Sequence, residues 1–248
     1  MKTKNSITKI IWVFLFAIAM GYLESAVVVY IRALYYPEGF TFPMKLISDQ
    51  IMITEFFREA ATMIMLIGIA IMSGRSAIER FAYFILSFGV WDIFYYVFLY
   101  ALLGWPQSPM TWDVLFFIPV TWIGPVIGPV INSLTMIILA LTILYYKNKN
   151  QRVKTGKFVW PLLILGSLVV IVSYTMDYVG FMSDKFSFLQ QMGIGDTQGI
   201  LEYATAYIPL TFNWWVFLCG VVMHYVAIVI IIGKTEKLAR QNQIDSSI

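Results

Sequence analysis

Ionisable side chains recur inside stretches of this sequence that are otherwise apolar. A charge that faces lipid is costly, so acidic and basic residues within apolar helices usually face the protein interior or a water-filled cavity. Carboxylates and guanidinium groups placed there can bind protons, cations or anions, or pair with one another. We therefore predict one polar cluster, formed by Glu24, Arg32, Glu55, Arg58, Glu59 and Asp92.

Helical spacing predicts that these side chains converge. Glu55, Arg58 and Glu59 are spaced i, i+3, i+4, so they lie on one face of a helix. Glu24 and Arg32 lie within about 80° of each other around a second helix. If all are ionised, the four acids of the cluster exceed its two arginines by two charges. Because uncompensated charge is costly at low dielectric, the cluster is expected to take up protons, a cation or a partner's basic group.

Four interpretations of the cluster remain open at the level of sequence. Glu–Arg pairs can form a structural network that fixes the register of neighbouring helices. Glu24, Glu59 and Asp92 can instead accept a cation or protons, and the same three are the candidate ligands if a metal binds. Paired carboxylates can also act as acid and base, with a divalent ion of the Mg, Ca or Mn type. In the fourth interpretation, Arg32 and Arg58 hold an anionic ligand.

Four further polar residues are secondary candidates: Asp113, Asp177, Asn213 and His224. A histidine in an apolar stretch is typically a hydrogen-bonded packing residue and sometimes a proton relay. Asn213 is expected to donate an interhelical hydrogen bond. A single histidine and a single cysteine argue against haem and zinc sites, and no nucleotide or other cofactor motif is present. The basic run at 147–157 is interpreted as a lipid contact, not as a nucleic-acid site.

The composition predicts an integral membrane protein. Of the 248 residues, 60% are hydrophobic and 12% are charged, whereas soluble domains contain about 25% charged residues. A helix needs about 20 mainly apolar residues to cross a membrane. We predict an all-α polytopic fold with a single domain. Its six spans are expected at about 10–34, 51–73, 81–103, 123–146, 158–178 and 210–232. The first is expected to be retained, because it is longer than the apolar core of a signal peptide.

The distribution of basic residues predicts the orientation. Thirteen Lys and Arg lie before the first span, after the sixth, or in the connections after the second and fourth; two lie in the other connections. By the positive-inside rule, both termini are then cytoplasmic. We expect a multi-pass protein of a bacterial-type inner (plasma) membrane, with the charged cluster in the outer half of the bilayer.

Two segments between the spans are unusual. Thr111–Gly128 contains an apolar run that is too short to span, followed by several prolines. It predicts a short interfacial or re-entrant helix and then a kinked fourth span, because proline disrupts a helix. Phe181–Tyr207 is the longest outer loop, with a helical turn expected at 201–206 and a role as a lid or partner contact. Trp105 and other aromatic residues near the outer boundary are assigned to an interfacial belt.

Three functions are compatible with these features. The leading hypothesis is a small transporter or a cation- or proton-binding membrane protein that uses the acidic cluster. A second is a subunit of a larger membrane complex, or of a homo-oligomer, that docks an extracytoplasmic partner. A third is an intramembrane enzyme that acts on a lipid or isoprenoid. A lipid-shaped groove beside Glu59 and Asp92 would favour the third, and a sealed cluster would exclude it.

Overall fold

Six long helices and a small β-hairpin make up most of the fold. The computed structural model describes residues 2–149, 151–187 and 197–245. In chain order the elements are α1 Lys2–Tyr35, α2 Asp49–Ser73, α3 Ala77–Leu103, β1 Trp112–Phe116, β2 Trp122–Pro125, α4 Ile127–Asn148, α5 Gly156–Ser183, α6 Thr197–Ala204 and α7 Trp214–Asp245.

Each of the six long helices is long and apolar enough to cross a membrane, and α6, with eight residues, is too short. The six have mean hydropathies between 1.6 and 2.6 over their most apolar windows. They coincide with the six predicted spans, so the prediction of a mostly helical, multi-pass architecture is confirmed. The predicted starts of the fourth span at residue 123 and of the sixth at residue 210 were each four residues early. Asn213 caps this helix, since its Oδ1 accepts the backbone N–H of Val216 at 3.2 Å, and helix geometry begins only at Trp214.

A β-hairpin replaces the short helix that was predicted before the fourth span. β1 and β2 pair antiparallel, with Asp113 opposite Gly124. The prediction was wrong because length and proline content were weighted above strand propensity, and Trp, Val and Phe favour strands. The prolines close the turn, end β2 and lie in the first turn of α4, where a missing N–H is tolerated.

The core forms where the helices approach closely. Buried Val13, Leu66, Leu86, Ile143 and Ile231 belong to one apolar cluster to which all six long helices contribute. Close approach of α3 and α4 requires a glycine: a Cβ at position 89 would lie 2.7 Å from a backbone oxygen of α4. By contrast, α2 packs mainly on α3, and its outer face is exposed.

The two ends of the bundle differ in chemistry. At one end, which we call the basic end, Lys9 donates to the Ser73 backbone oxygen at 3.0 Å, and Lys147 pairs with Glu79 at 3.4 Å. The β-hairpin and α6 lie at the opposite end, which we call the hairpin end. Which end faces the cytoplasm stays a prediction from the distribution of charge.

Candidate ligand-binding cavity

A cavity of about 630 Å³ lies toward the hairpin end, among α1, α2, α3 and the hairpin. Its polar lining contains all six residues that the sequence predicted to form a cluster, together with Asp113 and Lys45. Most of the remaining wall is apolar or aromatic, including Val28, Phe40 and Tyr95. The fold therefore brings the predicted residues to one place, in a space large enough for a small organic molecule.

Arg58 links α2 to α1 through two carboxylates. Its Nε donates to Glu55 Oε2 at 2.7 Å, one turn earlier on the same helix. Its Nη1 bonds Glu24 Oε1 on α1, and the Thr62 hydroxyl donates to the other oxygen of Glu24 at 3.4 Å. Arg58 thus hydrogen-bonds two of the acids and neutralises one of their two charges, and this part of the cluster joins two helices as a structural network would.

Glu59 lies on the same face of α2 but bonds differently. It is 5% exposed, and both of its carboxylate oxygens accept the backbone N–H of Phe117, at 3.2 and 3.1 Å. Phe117 follows β1 directly, so this carboxylate fastens the hairpin to α2. Within the described residues Glu59 forms no ion pair. Among the described residues, its direct hydrogen-bond partner is therefore a neutral backbone N–H and not a basic side chain.

Asp92 on α3 is the second carboxylate of the cavity that forms no ion pair with a described residue. Its Oδ2 accepts the Ser133 hydroxyl of α4 at 2.7 Å. The two helices meet closely one turn away, at Gly89, and this brings the serine within reach. Like Glu59, Asp92 is oriented by a neutral donor.

Arg32 and Asp113 form the other charged pair. Arg32 Nη2 lies 3.4 Å from Asp113 Oδ1, and the Tyr96 hydroxyl donates to Asp113 Oδ2 at 3.2 Å. The guanidinium carbon lies 3.7 Å from the ring centre of Trp105 and 4.8 Å from that of Phe40. Burial raises the pKa of Asp113 to about 6, although the nearby Arg32 guanidinium and the Tyr96 hydroxyl lower it.

Sequence reasoning placed some of these residues incorrectly. Asp113 was a secondary candidate near the boundary, yet it is 2% exposed and pairs with Arg32 inside the cavity. Trp105 was assigned to the interfacial belt, but it is buried under the Arg32 guanidinium. No side-chain pattern could have identified the Phe117 N–H as a partner of Glu59, because a backbone donor carries no signature in the sequence.

The cavity carries net negative charge when all its groups are ionised. Five carboxylates face two guanidinium groups and the Lys45 ammonium group, which leaves two negative charges. Among residues 2–149, 151–187 and 197–245, no group of three or more His, Cys, Asp or Glu is arranged to hold a metal ion. Glu24, Glu59 and Asp92 therefore line one cavity without forming a ready-made metal site.

The rim of the cavity is apolar. Leu46, Ile53, Phe56, Phe57 and Phe117 line it and remain exposed by 40% or more. Three of the five belong to the outer face of α2. A ligand that enters beside α2 therefore meets hydrocarbon-like surface first and charge further in.

The other secondary candidates lie elsewhere. His224 bonds the Ser167 hydroxyl at 3.2 Å and the Leu163 backbone oxygen at 3.3 Å, between α5 and α7. Asp177 accepts the Tyr207 hydroxyl at 2.6 Å, and both line a second cavity at the hairpin end of these helices. Asn213 also lines it, but as a helix cap rather than as the predicted interhelical donor.

Six apolar helices, three of which line a charged cavity together with the hairpin, indicate a multi-pass membrane protein with an internal polar site. No protein-family model, no curated protein and no solved structure matches the chain. Its function is therefore argued from the cavity itself.

Proposed function

We propose that this protein is a membrane transporter or binding protein that takes a cationic ligand into the cavity between α2 and the hairpin. The observation that carries the proposal is the pair Glu59 and Asp92, two carboxylates that line the cavity and lack a basic partner among the described residues. In this proposal they bind the cation directly, or exchange protons as it enters and leaves.

The charge balance supports a cation over an anion. Arg58 is occupied by Glu24 and Glu55, so its charge is already matched. Glu59 and Asp92 account for the excess negative charge of the cavity, and a bound cation or proton removes the cost of that excess. Tyr95, Tyr96 and Phe40 line the same wall, and aromatic rings of this kind bind organic ammonium groups through cation–π contacts.

The proposal includes an orientation. Both termini lie in the cytoplasm of a bacterial-type inner membrane, and the cavity then lies in the outer half of the bilayer. The support is the concentration of Lys and Arg at the basic end, which the positive-inside rule assigns to the cytoplasm.

The proposal is tested by binding of tetraphenylphosphonium to the detergent-purified protein, measured by isothermal titration calorimetry. We expect Glu59→Gln and Asp92→Asn each to weaken binding by about tenfold or more, because each removes a charge from a desolvated site. Asp184→Asn, which neutralises an exposed carboxylate outside the cavity, is the matched control and keeps wild-type affinity. Equal affinity in folded Glu59→Gln, Asp92→Asn and wild-type protein would overturn the proposal.

A second candidate is an intramembrane enzyme acting on a lipid or isoprenoid. The apolar rim on α2 favours it, because a lipid chain could remain in the bilayer while its polar end reaches Glu59 and Asp92. These carboxylates would act as acid and base. Conversion of membrane lipid by the reconstituted protein, lost in Glu59→Gln, would support this function over transport.

Docking of an extracytoplasmic partner is the remaining candidate. Leu210 and Trp215 flank the second cavity and are more than 80% exposed, which is compatible with a contact surface at the hairpin end. This candidate requires a partner that co-purifies in mild detergent and is lost in Leu210→Ser. A monodisperse single chain would count against it.

A further inference from the structure

Arg32 has a donor that its partners do not use. The residue is 7% exposed and lines the cavity, and its Nη1 has no hydrogen-bond partner among the described residues. Its only ion pair there is a single 3.4 Å contact through Nη2. A buried guanidinium nitrogen without an acceptor is costly, so such an atom in a cavity wall points to a ligand that supplies one.

The surroundings of Arg32 hold the guanidinium plane in place. Trp105 and Phe40 contact the guanidinium through their rings, which fixes its orientation without using its N–H groups. Asp113 contacts one nitrogen of Arg32, Nη2, through Oδ1, and its second oxygen accepts the Tyr96 hydroxyl. Nη1 is thus left without an acceptor, and phosphate and carboxylate oxygens match the geometry of a guanidinium donor.

The lack of an acceptor distinguishes Arg32 from Arg58, the other arginine of the cavity. Arg58 uses Nε and Nη1 on two carboxylates of the protein, Glu55 and Glu24. It already has the partners that an anion would provide. An anionic ligand held by both arginines, one of the interpretations left open by the sequence, therefore reduces to an anion at Arg32.

We infer that the ligand of this cavity is zwitterionic, with an anionic group on Arg32 Nη1, a cationic group on the unpaired carboxylates and an apolar part along the α2 rim. This inference rests on the proposed function for its cationic half. Because Arg32 and the carboxylates Glu59 and Asp92 line the same cavity, they favour a ligand that carries both a negative and a positive group. The apolar rim favours a ligand that also carries a hydrocarbon chain.

Four small probes test the inference by calorimetry: hexylphosphocholine, hexyltrimethylammonium, hexyl phosphate and phosphocholine. They separate the contributions of the anion, the cation and the chain. We expect hexylphosphocholine to bind more tightly than any of the other three. Weaker binding of phosphocholine would show that the site takes an amphiphile, whereas equal binding would indicate a soluble zwitterion and remove the role of the α2 rim.

Substitutions of Arg32 identify the anion subsite. Arg32→Lys keeps a positive charge beside Asp113 but removes the fork, and we expect it to weaken hexylphosphocholine binding by about tenfold or more. Binding of hexyltrimethylammonium should stay within about twofold of the wild type. If Arg32→Lys folds poorly, Arg32→Gln with Asp113→Asn removes both members of the pair together. Arg75→Gln, an exposed site at the basic end, is the control.

The outcomes distinguish this inference from the proposed function. If hexyltrimethylammonium binds through Glu59 and a phosphate group adds no affinity, the inference is wrong and the proposed function stands. If hexyl phosphate binds through Arg32 while no cationic probe binds, the proposed function is wrong and the Arg32 subsite stands. Binding of none of the four probes would overturn both.

Discussion

Replacing Arg58 and replacing Glu59 should have opposite consequences, although the two residues are adjacent on α2. Arg58→Met leaves Glu24 and Glu55 unpaired in a mostly apolar surrounding. Removing one partner of a buried ion pair costs about 3–5 kcal/mol. Since the Arg58 side chain is still 19% exposed, solvent screens part of this loss. We expect the free energy of unfolding to fall by about 3 kcal/mol, the lower end of that range.

Glu59→Gln should leave the fold nearly unchanged. A glutamine oxygen can still accept the Phe117 N–H, and the substitution removes a carboxylate that has no basic partner among the described residues. The loss of charge assistance and the relief of burying a charge oppose each other, so we expect a net change below about 1 kcal/mol. Ligand binding, in contrast, should weaken by about tenfold or more.

The assay is unfolding of the detergent-solubilised protein by added dodecyl sulfate, followed by tryptophan fluorescence and far-ultraviolet circular dichroism. A triple variant, Arg58→Met with Glu24→Gln and Glu55→Gln, should recover most of the stability, because the two former partners of Arg58 are then uncharged. The reasoning fails if Arg58→Met is as stable as the wild type. It also fails if Glu59→Gln loses as much stability as Arg58→Met, since the whole cluster would then be structural.

Three further outcomes are expected. Because burial raises the pKa of Asp113 to about 6, folding favours its protonated form. Its stabilising contribution is therefore present below about pH 4 and lost as the pH rises through about 6; the difference in unfolding free energy between wild type and Asp113→Asn, measured from pH 4 to 7, should show that slope. Gly89→Val should lower the free energy of unfolding by about 1–3 kcal/mol, since its Cβ meets a backbone oxygen of α4. Gly68→Ala on α2, where a Cβ has open space, should raise it slightly. Both changes are measured by the same unfolding assay. In a chain whose own cysteine is replaced, Lys185→Cys should react with an impermeant maleimide on intact cells and Lys154→Cys should not; the reverse result would invert the proposed orientation.

The sequence was informative wherever a periodicity or a count carried the signal. Six apolar stretches predicted six helices, and the spacing of Glu55, Arg58 and Glu59 predicted their common face, because helix geometry fixes which residues are neighbours. The assembly of Glu24 and Asp92 with them was predicted because charged side chains are costly in lipid and therefore face the protein interior or a cavity.

The β-hairpin could not be predicted from periodicity or composition. Whether 112–125 forms a helix or two strands depends on tertiary contacts, including the one between Glu59 and the Phe117 N–H, and not on local propensity alone. The same contacts carry Asp113 into the cavity. A pairing between residues 81 positions apart, such as that of Arg32 with Asp113, leaves no periodic trace in a single sequence.

The attachment of the hairpin by Glu59 has a consequence for motion as well as for binding. The carboxylate that holds the Phe117 N–H also faces the cavity, so protonation or ligation of Glu59 weakens the bond that fastens the hairpin to α2. If the hairpin detaches from α2 when Glu59 is protonated or ligated, occupancy of the cavity and detachment would be linked equilibria, and each would favour the other to the same extent. Because α2 packs mainly on α3, its separation from the hairpin would leave the other helix contacts in place. Binding of the ligand would then itself favour the opening through which the ligand enters.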